Sequence, residues 1–116
     1  MSEQDVRAVI DRYTEGTRTR DVAMLRDVFH ANAVMSGWLG PDLLVGSPQP
    51  FLDYVEGNDV SPDYRSETTE VRVDGAIAWA ETREENLFGM SFLNRFHLIR
   101  DGAGRWSIAS KLFRHA

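Results

Sequence analysis

Apolar positions recur at helical spacing near the start of the chain. Val6, Val9, Ile10, Tyr13 and Thr17 share one face, which predicts an amphipathic first helix with that face buried. Gly16 weakens its end. Asp21 is placed to cap a second helix with Val22, Leu25, Val28 and Phe29 inward. The segment "DVFHANAVMSGW" then reads as a helix end turning into a short strand around Val34 to Trp38, at the floor of a pocket. The turn-rich "LGPDLLVGSPQPF" holds a short strand at Leu43 to Val45. Ser47 and Pro48 then open a third helix that buries Phe51, Leu52 and Val55 and stops at Gly57.

From Tyr64 the period changes to two. "YRSETTEVRV" and "AIAWAETREENLF" flank an Asp-Gly turn, and "MSFLNRFHLIR" and "RWSIASKLFRH" flank "DGAG", so two long hairpins are predicted. Strands of roughly ten residues in so small a chain imply strong curvature. Helices first and a meander afterwards indicate an α+β fold, with three N-terminal helices packed on one face of a strongly curved antiparallel sheet.

At 116 residues the chain suits a single domain, 1–116. No apolar run approaches the roughly 18 residues of a membrane span. The start, "MSEQDVRAVI", lacks the basic head and apolar core of a signal peptide. Cysteine is absent, which removes disulfide and thiolate chemistry; a cytoplasmic location is the default expectation. The net charge of −5 and the interleaving of twelve arginines and one lysine with acids argue against a nucleic-acid partner. His30, His97 and His115 show no close metal-ligand spacing, "DGAG" is a hairpin turn and not a nucleotide loop, and no cofactor is called for.

Tyr13 on the first helix, the segment "TRDVAMLRDVFHANAVMSG", and the closing pattern of Trp106, Ile108, Lys111 and Phe113 together resemble the NTF2-like superfamily. Within it the chain is most similar to small proteins labelled "putative lumazine-binding", which overlap with SnoaL-like proteins. The likeness covers nearly the whole chain. It implies a cone: a curved antiparallel sheet around a long first helix, an apolar cavity at the wide end, and homodimers through the sheet. Some such proteins are cofactor-independent isomerases, dehydratases or cyclases acting on compact hydrophobic substrates, and others only bind a ligand or partner. Fold alone does not choose between them. Two departures stand out. Asn94-Arg95 occupies a place where many relatives carry Asp-Tyr, and Ser110-Lys111 one where Asn-Lys is common. In the ketosteroid isomerase branch a helix-1 Tyr donates to the oxyanion, and Tyr13 matches it. The proton-shuttling carboxylate of that branch falls at about Gly37, and a slip of one residue gives Ser36 or Trp38. None is an acid, so that chemistry in its usual form is disfavoured.

The expected catalytic set is therefore His30 as acid or base, Tyr13 as donor and Asn94 to orient a polar group. His30 could equally cap helix carbonyls. Val9, Trp38, Phe51, Phe92, Phe96 and Trp106 are the expected pocket wall. On the third long strand Phe92, Asn94, Phe96 and Leu98 share one face, and Leu93, Arg95, His97 and Ile99 the other. On the strand before it, Ala76, Ala78, Ala80 and Thr82 form a small-residue face for the first helix, leaving Ile77, Trp79, Glu81 and Arg83 outward. Trp79, Arg95 and His97 are the candidate dimer face. Glu81 is either a functional acid or an ion-pair partner of an arginine. Two functions stay open: a pocket for a compact hydrophobic or aromatic small molecule, with or without acid–base catalysis, and a non-catalytic dimeric interaction module with a filled cavity.

Overall fold

The computed structural model describes residues 2–116. Helix α1 (Ser2–Thr19) is followed by α2 (Val22–Val28), β1 (Phe29–Leu39), β2 (Asp42–Gly46), α3 (Gln49–Gly57), β3 (Arg65–Asp74), β4 (Ile77–Leu87), β5 (Met90–Arg100) and β6 (Trp106–His115). The strands form one curved open sheet in the order β2-β1-β6-β5-β4-β3.

Helix α1 runs past Gly16. A β-carbon there would lie 3.0 Å from Leu25 Cγ, so the glycine lets α2 lie close against α1. The helix ends instead at Arg20, whose φ of 60° is left-handed. The Asp21 amide donates to the Gly16 carbonyl at 2.8 Å and the Arg20 amide to Thr17 at 3.3 Å, the paired closure of a Schellman end. Asp21 then caps α2, its carboxylate accepting from the Met24 amide at 3.0 Å.

Three sequence expectations are corrected. Phe29 opens β1 and does not close α2, and β1 spans 11 residues where a short strand was expected. The sheet is mixed: β1 pairs with β6 in parallel, while the other neighbours are antiparallel. The meander β3–β6 is closed by local turns, which force antiparallel pairing. Strand β1 arrives from the far end of the chain and is under no such constraint.

The core lies between α1 and the concave sheet face. Val6, Ile10 and Tyr13 are sealed there with Ala78 and Ala80 of β4, Phe96 and Leu98 of β5 and Ile108 of β6. Ala78 and Ala80 are buried on the inward face of β4 that the alternation predicts. Strand β6 carries a bulge: Ile108 pairs with Leu98 but Ser110 with His97. The extra residue reverses the alternation. Trp106 and Ile108 face inward before it, and Lys111 and Phe113 after it.

Candidate active site

A cavity of about 460 Å³ opens between β2, α3 and the β4–β5 turn. Its wall is mostly apolar, with Met35 and Leu39 from β1, Leu44 from β2, Phe51 and Tyr54 from α3, Phe88 and Met90 from the turn, and Phe92 and Phe113 from the central strands. Three polar side chains reach it from the sheet: Glu84, Asn94 and Lys111. All three are buried, Glu84 at 1% and Lys111 at 3% exposure.

The register places them together. Thr82 of β4 pairs with Asn94 of β5, and Asn94 with Phe113 of β6, so Glu84 lies diagonal to Asn94 on the same face. The Asn94 amide donates to a Glu84 oxygen and, at 3.2 Å, to the Thr82 hydroxyl. The Tyr64 hydroxyl donates to the other Glu84 oxygen at 2.6 Å. A buried carboxylate needs such donors, because an unpaired one would be costly. The Asn94 side-chain oxygen, in contrast, has no hydrogen-bond partner although it is buried. Tyr64 is itself held from outside, with Arg18 lying 5.3 Å over its ring and donating to its carbonyl at 3.0 Å.

Lys111 donates to the Tyr13 hydroxyl at 2.6 Å. Its ammonium lies 4.3 Å from the centre of the Phe51 ring and 4.9 Å from that of Tyr13. Burial pulls Lys111 from the ordinary 10.5 down to about 8, and the nearby Glu84 charge opposes that fall. Burial pushes the Tyr13 phenol well above its usual value, and Glu84 adds to the rise. Tyr64 is raised for the same two reasons. Both phenols therefore stay protonated and act as hydrogen-bonding groups.

Of the expected catalytic residues, Asn94 lies on the cavity wall. Tyr13 sits one layer behind it and reaches the cavity through Lys111, its ring stacked on Phe51 at 5.8 Å. His30 lies elsewhere. It is exposed on β1, its Nδ1 accepts from the Asn32 amide at 3.0 Å, and it borders a separate depression with Arg26 and Asp27. The chain leaves α2 one residue earlier than the helical pattern implies, and the side chain after Phe29 then turns outward.

Of the expected pocket wall, Phe51 and Phe92 line the cavity. Phe96 is packed behind it against Tyr13, at 5.0 Å between rings. Trp106 is buried in the core, and Val9 is half-buried against it. Trp38 is 55% exposed, its side chain opposite in parity to Met35 and Leu39. Gly37 shares the inward parity, but a β-carbon there would lie 2.4 Å from the Phe113 carbonyl oxygen. No side chain fits at Gly37, the position that the sequence resemblance matches to the steroid isomerase acid.

Trp79, Arg95 and His97 lie together on the outer sheet face, Trp79 opposite His97 and Arg95 opposite Glu81. Glu81 is an ion-pair partner there: Arg95 Nε is 3.1 Å away, and the Thr69 hydroxyl donates to it at 2.8 Å. These two contacts hold its carboxyl below the usual range.

Sequence reasoning missed Glu84, Lys111 and Tyr64. Glu84 continues the inward row of Ala78, Ala80 and Thr82 by one more step, so its signal was present. Lys111 was hidden by the β6 bulge. Tyr64 stands at the start of the alternating stretch, just before β3, where the alternation marks a face but no role.

A family model described as "Putative lumazine-binding" matches residues 1–114. Among solved structures, an NTF2-like protein of unknown function from Shewanella baltica OS155 superposes with a TM-score of 0.89. It is 23% identical, over 97% of this chain and 92% of that one. One from Silicibacter pomeroyi DSS-3 gives 0.88 at 24% identity, over 97% and 94%. A ketosteroid isomerase-like protein from Erwinia carotovora atroseptica SCRI1043 gives 0.75 at 18% identity, over 97% and 95%. No curated protein matches. At these identities the structural likenesses speak for the fold.

Proposed function

We propose a function from one premise: the chain belongs to the family described as "putative lumazine-binding", within the NTF2-like superfamily. The proposed role is to bind a compact, largely planar small molecule in the Glu84 cavity and to move a proton on it. The observation that carries this reading is the buried Glu84 carboxylate, beside Asn94 and Lys111, in a mostly apolar cavity of about 460 Å³. That volume lies within the usual range for small-molecule sites. It is about three times a benzene-sized hole, so it suits two or three fused rings. The unpaired Asn94 oxygen would accept from a ligand hydroxyl or ring N–H.

Glu84 supplies the base that the Gly37 position cannot. It is held by Tyr64 and Asn94, and it shares the cavity with Lys111, whose charge can stabilise a developing oxyanion. Isomerisation, dehydration or cyclisation needs no more than a dry pocket, one proton acceptor and one oxyanion donor. An amide NMR titration with lumazine and with 2-naphthol tests the binding. Shifts concentrated on residues 35–54 and 84–94 are expected. Shifts spread over the outer face, or none, would refute it.

The outer face with Trp79, Arg95 and His97 supports a homodimer, because Ile77 and Ile99 extend the exposed apolar surface beside them. Light scattering of the wild type should give twice the chain mass, and Trp79→Glu should give the monomer. A filled-cavity interaction module is disfavoured, since Trp38 stands outside the cavity and does not close it.

A further inference from the structure

We propose that Lys111 is an imine-forming amine and that the cavity accepts a compact aldehyde or ketone, which it holds covalently. This rests on the reading of the cavity as a small-molecule site. Lys111 is the sole lysine of the chain; it lines the mostly apolar cavity, with its amine beside the wall rings of Phe51 and Phe113. A lysine kept only for solubility or a surface ion pair would not be buried at 3% exposure. Neither is its place that of a structural ion pair. Its close polar partner is the neutral Tyr13 hydroxyl at 2.6 Å, with the rings of Phe51 and Phe113 beside it.

The position fits addition to a carbonyl. The neutral amine attacks through its lone pair, so it must lose its proton near neutral pH and sit within reach of a desolvated carbonyl. Burial supplies the first condition, bringing Lys111 to about 8. The apolar walls supply the second. The titratable groups around it are Tyr13 from α1 and Glu84 from β4, with Tyr64 behind Glu84.

In the step itself, a C–N bond forms and the carbonyl π pair moves to oxygen. Glu84 takes one proton from the nitrogen and returns it to that oxygen, giving a carbinolamine. A second proton, from hydronium or a buffer acid in the solvent, lets the hydroxyl depart as water while the nitrogen pair closes the C=N bond. The sum is amine, carbonyl and one proton giving iminium and water. The positive iminium nitrogen then lies where the ammonium lay, against the same rings and the same Glu84 charge. It would draw electrons from the ligand's α-carbon, where the carboxylate can remove a proton.

The test uses the full chain, benzaldehyde and sodium cyanoborohydride, read by intact mass and peptide mapping. At pH 7 an amine titrating at about 8 holds roughly 300 times more neutral form than one at 10.5. Lys111 should therefore gain one benzyl group at least about ten times faster than Nα-acetyl-lysine in the same tube. Its rate should saturate with benzaldehyde, and benzyl alcohol should slow it. Labelling of the N-terminal amine should do neither. Lys111→Arg should leave only the N-terminal label. If benzyl alcohol shifts the cavity amides but Lys111 stays unlabelled, the imine assignment is overturned and the binding reading stands. If neither occurs, both fall. A Lys111 label that grows linearly with benzaldehyde and ignores benzyl alcohol also overturns it.

Discussion

Replacing Lys111 by Met should stabilise the protein near neutral pH, and the gain should vanish in alkali. Lys111 is buried and titrates at about 8, against 10.5 when exposed. Each pH unit is worth about 1.4 kcal/mol, so its charged form costs the folded state about 3 kcal/mol. The folded chain gives up this proton more readily than the unfolded chain. Between pH 8 and 10.5 the unfolded state therefore holds more protons, and wild-type stability rises with pH across that window. Met retains the packing of the aliphatic stem and removes the charge. It also removes the hydrogen bond to Tyr13, worth about 1 kcal/mol. The net gain is then about 2 kcal/mol near pH 7, falling to zero or below as the pH passes 10.5. Urea unfolding of both proteins at several pH values measures the difference, in which groups common to both cancel. A difference that stays flat from pH 7 to pH 10.5 would refute the reasoning. Lys111 would then be no less basic in the fold than in the unfolded chain.

Glu84→Gln should cost about 1–3 kcal/mol, because the Gln amide keeps one acceptor oxygen and sets its NH2 against the other of the two buried donors, the Tyr64 hydroxyl and the Asn94 amide. Since the Glu84 charge props up the Lys111 pKa, the same change should move the midpoint of the pH dependence of Lys111 labelling downward; an unchanged or raised midpoint would contradict that coupling. Gly37→Ala forces a β-carbon against the Phe113 carbonyl and should destabilise by about 1–3 kcal/mol in thermal or urea unfolding, whereas no loss would mean that β1 and β6 sit further apart. His30→Gln should leave the affinity for 2-naphthol unchanged in an NMR titration, because His30 is exposed and outside the Glu84 cavity; a lost titration would bring it into the site.

The sequence by itself determined the elements and most of the faces. Helical spacing marked Val6, Ile10 and Tyr13 as the buried stripe of α1. Alternation placed Phe92, Asn94, Phe96 and Leu98 on the inner face of β5, and Ala78, Ala80 and Thr82 on that of β4. These patterns are legible because burial repeats with the backbone's own period, and the backbone period is local. The same row, followed one step further, leads to Glu84.

What tertiary structure decided is where periods break and distant segments meet. One bulged residue in β6 turned Lys111 inward, which no alternation counted from Trp106 and Ile108 could show. The parallel pairing of β1 with β6 brought Gly37 against Phe113 and closed the position that the resemblance matches to an acid in steroid isomerases. Leaving α2 one residue early sent His30 out to solvent. Tyr13 and Lys111 stand 98 positions apart in the chain, and Tyr64 and Glu84 stand 20 apart. A site of this kind is made by contacts across the sheet and its covering helix, and those contacts carry no periodic trace in either segment alone.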